Sequence, residues 1–158
     1  MKYFTINEFI KSDIATRLKI DNTPDAIQEE HIIEFIEKLL DPLREDWSAY
    51  CNNNGLGSGA IRVTSGFRNE VLNKAVGGSK TSAHYYGYAA DLIPCNWELL
   101  KFKYFVWEWL KDKDFDQMIS EDEDENNIPG WIHLGYKRGN GDQRHQYLYM
   151  KGDNYFYL

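Results

Sequence analysis

Ten residues, Ser82-Ala83-His84-Tyr85-Tyr86-Gly87-Tyr88-Ala89-Ala90-Asp91, constrain this chain more than any other stretch. They set a His and an Asp seven positions apart, and a second His follows in Trp131-Ile132-His133. Two imidazole nitrogens and a carboxylate oxygen form a zinc-competent ligand set, and three protein ligands leave the fourth tetrahedral position to water. A spacing of seven is too long for an i, i+4 pair on one helix. The chain must bend between His84 and Asp91, and Gly87 is the residue that permits it. A His-x6-Asp pair alone is weak evidence, since surface His and strand Asp are both common. His133 strengthens it: in the apolar run Trp131-Ile132-His133-Leu134 a buried imidazole needs a partner, and a metal is one.

The elements around this motif alternate between helix and strand. Thr5 or Asn7 caps a short first helix with Glu8 in its first turn. Residues 11 to 24 read as polar and turn-rich, with Thr23 as cap and Pro24 at the first position of the next helix. That helix runs from Pro24 to about Tyr50 on Ile27, Ile32, Ile33, Phe35, Ile36, Leu39, Leu40, Leu43 and Trp47, with a break expected near Pro42. His31 lies on it without i+4 ligand partners and reads as packing or surface. An Asn- and Gly-rich loop follows, then a strand Ile61-Arg62-Val63-Thr64-Ser65 and a helix capped by Asn69 and stopped by Gly77-Gly78.

In Gly87 to Pro94 a period of two sets Ala89 and Asp91 on one face of a strand, Ala90 and Leu92 on the other. Asn96 is expected to cap a helix from Trp97 to Lys111, with Leu100, Tyr104, Trp107 and Leu110, or Phe105 and Trp109, turned inward. Phe115 to Glu121 and Trp131 to Tyr136 read as a hairpin around an acidic turn, and a last strand is expected around Gln146 to Met150. The whole, 1–158, reads as one domain: a helical part over 1–50 and a metal-site core over 60–158.

Composition limits the function classes. At 158 residues and 42% hydrophobic, the chain can build a core without disulfides or a structural metal. A net charge of −7 argues against nucleic acid as a partner. The mild basic group Lys137, Arg138, Arg144 and Lys151 reads as solvated surface. Cys51 and Cys95 have no CxxC partner and are expected to be reduced and structural. No long apolar run and no signal-peptide pattern occur, so a chain made in the cytosol, without a membrane span and monomeric, is expected.

A zinc hydrolase needs a base for its water. Glu121, at the end of the strand expected to pair with that of His133, is the favoured candidate. Asp122, Glu123, Asp124 or Glu125 could substitute, because the hairpin register cannot be fixed from sequence, although a solvated acidic turn is the simpler account of those four. Arg68, directly after a strand, can hold a carboxylate in bidentate fashion, and Ser82 can add a hydroxyl.

Taken together, Ser65-Gly66-Phe67-Arg68-Asn69, Asn73-Lys74-Ala75-Val76-Gly77-Gly78, Ser82-x-His84-x-x-Gly87-x-Ala89-x-Asp91 and Trp131-Ile132-His133 resemble the D-Ala-D-Ala carboxypeptidase family of zinc peptidases, in its small phage- and bacterial-type branch. Tyr3-Phe4-Thr5-Ile6-Asn7-Glu8-Phe9 and Ile20-Asp21-Asn22-Thr23-Pro24 extend the likeness over nearly the whole chain. The resemblance implies an α+β hedgehog/DD-peptidase fold, a central antiparallel sheet flanked by helices. It also implies zinc on His84, Asp91 and His133, substrate contacts from Arg68 and Ser82, and hydrolysis of bonds to D-amino acids in peptidoglycan stem peptides, at a terminal D-Ala or a cross-link. In some branches the base lies three residues before the second His. Here that position is Gly130, which leaves Glu121 as the best match. Action on the cell wall would follow release, or membership of a phage lysis or virion system. The competing expectation is a non-catalytic hedgehog-like zinc module that binds a protein or wall partner and has no need of Glu121.

Overall fold

A computed structural model describes residues 1–152 and 154–158. Thr5 caps α1 (Ile6–Ile10) in a reciprocal box with Glu8. A second short helix, α2 (Asp13–Leu18), occupies part of the stretch expected to be turns, started by the Ser12 hydroxyl on the Ala15 N–H. The long helical segment begins at Ala26, two residues later than expected. Asp25, not Thr23, is its cap, because Asp25 and Gln28 exchange bonds of 2.8 and 3.0 Å while the Thr23 hydroxyl turns to Asp21.

Nor does this segment break at Pro42. α3 (Ala26–Phe35) passes through one wide π-helical turn, Ile36–Leu40, into α4 (Asp41–Asn54), with Pro42 in the first turn of α4. Proline removes one N–H and crowds the carbonyl four residues back. A π turn just before it absorbs that misfit, so the chain continues as helix to Gly55, which ends it in the left-handed region.

Six strands form one sheet in the order β1-β2-β4-β3-β5-β6: β1 (Ile61–Ser65), β2 (Ala89–Pro94), β3 (Gln117–Glu121), β4 (Trp131–Gly135), β5 (Gln146–Lys151) and β6 (Asn154–Tyr157). The pairs are antiparallel except β3 with β5, which run parallel. The molecule is thus α+β, a sheet flanked by helices, among them α5 (Glu70–Ala75) and α6 (Leu99–Trp109).

Strand alternation divides the sheet. Ala90, Leu92, Met118, Ile132 and Leu134 join the core with Trp47, Phe102, Val106 and Leu110 from α4, α6 and the 3-10 turn after it. Trp47 meets Phe102 at 5.1 Å between ring centroids. The fully buried stripe is therefore Phe102, Val106 and Leu110; of the residues expected inward, Leu110 is buried, Phe105, Trp107 and Trp109 pack partly against the core, and Tyr104 is exposed. Its start is also shifted: Asn96 accepts the Glu98 N–H in a turn, Trp97 takes a positive φ of 62°, and the helix begins at Leu99. Asp91, His133, Ile119 and Glu121 lie on the opposite, open face.

The acidic turn holds a further departure. Glu123 is buried against Lys103 of α6, and Lys103 also reaches the Asn127 carbonyl at 3.3 Å. This pair fastens the segment that follows Glu121. Removing one partner strands a buried charge, so Glu123→Gln is expected to lower unfolding free energy by about 3 kcal/mol in chemical denaturation. The double change Lys103→Met with Glu123→Leu is expected to recover most of that loss.

Candidate metal centre

The first ligand stands at a junction of three segments. His84 is 2% exposed, and its Nδ1 donates to the Gly66 carbonyl at 2.7 Å, which leaves Nε2 as the free lone pair. Gly66 itself lies against α1, where a Cβ would come within 2.6 Å of the Phe9 carbonyl oxygen. The bend after His84 passes through Gly87 at φ 82° and is held from α3: Gln28 donates to the Tyr85 carbonyl, and His31 bonds the Tyr86 carbonyl and stacks on Tyr88. His31 is thus a packing residue of the bend.

Asp91 and His133 are direct partners across β2 and β4, so their side chains emerge from the same face. The Nδ1 of His133 lies 2.9 Å from Asp91 Oδ1, the Nε2 of His84 lies 3.3 Å from the same oxygen, and the two nitrogens are 3.2 Å apart. Ligands at about 2.0–2.1 Å from a tetrahedral zinc are separated by roughly 3.3 Å, so the three atoms fit such an ion. Two imidazole lone pairs and a carboxylate oxygen facing one point repel one another unless a cation or proton lies between them.

The electrostatics suit a neutral His84 beside an ionised Asp91. Burial holds His84 below its ordinary pKa, opposed by Asp91. Burial pushes the Asp91 carboxyl up, but its interactions with His84 and His133 together outweigh that and keep the group ionised. Metal ligands are needed in these forms.

The triad opens on a cleft of about 670 Å³ that also contains Arg68, Ser82, Glu121, Arg138 and Tyr155. Pairing of Ile119 with His133 and of Glu121 with Trp131 puts Glu121 on the triad's face, one alternation away. Burial raises the Glu121 carboxyl above its ordinary value; Asp91 and Asp122 add to this, while His133 and Arg68 oppose it. Gly130, three residues before His133, donates its N–H to the Glu121 carbonyl at 2.9 Å and so adjoins Glu121. Arg68 keeps a buried Nε with no hydrogen-bond partner among the described residues. Glu123, one of the substitutes for Glu121, is spent on Lys103 and is not in the cleft.

Two basic residues, Arg144 in the cleft and Lys137 outside its lining, have structural roles that the sequence does not show. Arg144 was expected to be plain solvated surface; it grips the 1%-exposed Asp116 carboxylate through two bonds of 2.7 and 2.6 Å. Lys137 bonds Glu34 at 2.5 Å. Their roles come from contacts 28 and 103 residues distant, which no local pattern encodes. Cys51 is buried and Cys95 exposed, both as free thiols outside the triad, so Cys95 is not the packed residue expected.

Comparison with known proteins places the chain in a family. The family model for peptidase M15 matches residues 2–121, and the chain belongs to that family. A segment of 46 residues is 41% identical to a zinc D-Ala-D-Ala carboxypeptidase of Streptomyces albus G, covering 29% of this chain and 18% of that relative. The family match ends at Glu121, so the inclusion of His133 with His84 and Asp91 rests on the geometry above. His133→Ala is expected to weaken zinc binding, measured by chelator competition, by more than the ~100-fold that loss of an outer partner can cost. Cys95→Ser is expected to leave it unchanged.

Proposed function

We propose that the protein is a zinc metallopeptidase that hydrolyses peptide bonds involving D-amino acids in peptidoglycan stem peptides. The reading is carried by Glu121. This carboxylate lines the same cleft as His84, Asp91 and His133, on the same sheet face, and burial lifts its proton affinity toward that of a working base. His84, Asp91 and His133 would hold a zinc ion, which when bound would supply a Lewis acid for the scissile carbonyl and lower the pKa of a water to about 7.

Glu121 then takes the proton of the attacking water and returns it to the leaving amine. Arg68, with its unpartnered Nε, holds the carboxylate end of the substrate, and the Ser82 hydroxyl, which lines the same cleft, assists. The helix-packed face of the sheet keeps the triad fixed while the open face admits the peptide. No helix among the described residues is long and apolar enough to cross a membrane.

The test is mass spectrometry of monomeric pentapeptide and cross-linked muropeptides after incubation with zinc-loaded protein. Loss of a terminal D-Ala, or conversion of dimers to monomers, is expected. Glu121→Gln is expected to retain zinc and to lower kcat by about 10²- to 10⁴-fold. Full activity in that variant would remove Glu121 from the mechanism. Intact muropeptides with zinc bound would favour the non-catalytic binding module.

A further inference from the structure

Resting on the peptidase reading, we infer that Arg138 is a specificity-determining residue that binds a second carboxylate of the substrate, distinct from the terminal one assigned to Arg68. The cleft of this acidic chain is lined by three arginines, Arg68, Arg138 and Arg144. Arg144 is neutralised by Asp116, and the neighbouring Lys137 by Glu34. Arg138 has no ion-pair or side-chain hydrogen-bond partner among the described residues, although it is only partly exposed.

The return that carries it is firmly built. Arg138 N–H donates to the Asp142 carbonyl at 2.9 Å, and Gly141 N–H donates back to the Arg138 carbonyl at 2.9 Å. Gln143 bonds the Tyr136 carbonyl, and Gly139 lies so close to the Tyr86 ring that a Cβ would collide with it. The backbone is fixed by these contacts, and none of them uses the Arg138 guanidinium. A cation held at a cleft without an internal acid is available to an external one, and the planar fork of arginine suits a carboxylate.

The two free cations stand apart. Arg68 leaves the sheet from β1, on one side of the β2–β4 pair that carries the ligands, and its charge bears on Asp91, Glu121 and His84. The Arg138 return is tied to Asp116, beside β3, on the other side. A peptide crossing the triad from Arg68 toward Arg138 therefore meets a cation at each end. The substrate this fits is a peptide with an internal carboxylate in the part that crosses the metal, not merely a free C-terminus.

The experiment uses stem pentapeptides whose internal carboxyls are either free or converted to carboxamides, with the terminal carboxylate retained in both. Affinities are measured calorimetrically on zinc-loaded Glu121→Gln protein, and kcat and KM on the zinc-loaded native chain. Arg138→Gln and Arg138→Lys are made in both backgrounds, with melting temperature as the folding control. The native side chain is expected to favour the free-acid peptide by about tenfold, the preference shrinking with salt. In Arg138→Gln that preference is expected to vanish through KM with little change in kcat, and in Arg138→Lys to return in part. A loss confined to kcat, equal binding of both peptides with Arg138 present, or a preference that survives Arg138→Gln would overturn the assignment while leaving the peptidase reading intact. Binding and cleavage of neither peptide would overturn both.

Discussion

Three ligand atoms within 3.3 Å of one another, two of them imidazole nitrogens, are the constraint to which the rest of the molecule answers. Such an arrangement is unfavourable without a cation or a proton, and flexible side chains would relax out of it. The fold prevents relaxation by making two of the ligands cross-strand partners and locking the third from behind. Asp91 and His133 are fixed by the β2–β4 register, and His84 is fixed by the Gly66 carbonyl. Gly66 must in turn sit flush against Phe9, which explains why a short N-terminal helix far from the chemistry is part of the site's support. α3 plays a matching role through Gln28 and His31, which pin the bend that carries His84 to Asp91.

Charge is arranged with the same economy. The chain is acidic overall, yet its cleft carries three arginines, and the acidic groups there are engaged at the metal position, with Arg144, or on the face where Glu121 stands. The acidic segment after Glu121 is likewise not uniform. Glu123 turns inward to Lys103, and the Asp124 carboxylate accepts the Asn126 and Ile128 N–H groups, so the turn is held by its own acids. Glu121 thus leaves a strand on one side and enters an anchored turn on the other.

What the sequence disclosed and what it hid divide on physical lines. The His84-Asp91 spacing, the alternation that gives Asp91 and Ala89 a shared face, and the β3–β4 hairpin are all local, and they could be read directly. The inward face of α6 could not, because Leu99, Leu100, Phe102, Phe105, Val106, Trp107 and Trp109 leave hardly any polar face and make its periodicity degenerate. Pro42 signals a break by its chemistry, and only the preceding π turn shows how a helix can survive it. β6 is exposed along its length and carries no alternation to announce it, and the parallel placement of β5 beside β3 depends on pairing 29 residues apart. Burial of Glu123 and the tie between Arg144 and Asp116 are long-range as well, so charged residues that look like surface become structural.

The central claim is that His84, Asp91 and His133 together hold one zinc ion with room for a water. X-ray absorption spectroscopy of the zinc-loaded protein tests it most directly. The account predicts a first shell of two imidazole nitrogens and light oxygen atoms at about 2.0–2.1 Å, with imidazole scattering that falls to one ring in His133→Ala. A sulfur at about 2.3 Å, or a native spectrum unchanged by His133→Ala, would place the metal elsewhere and contradict it.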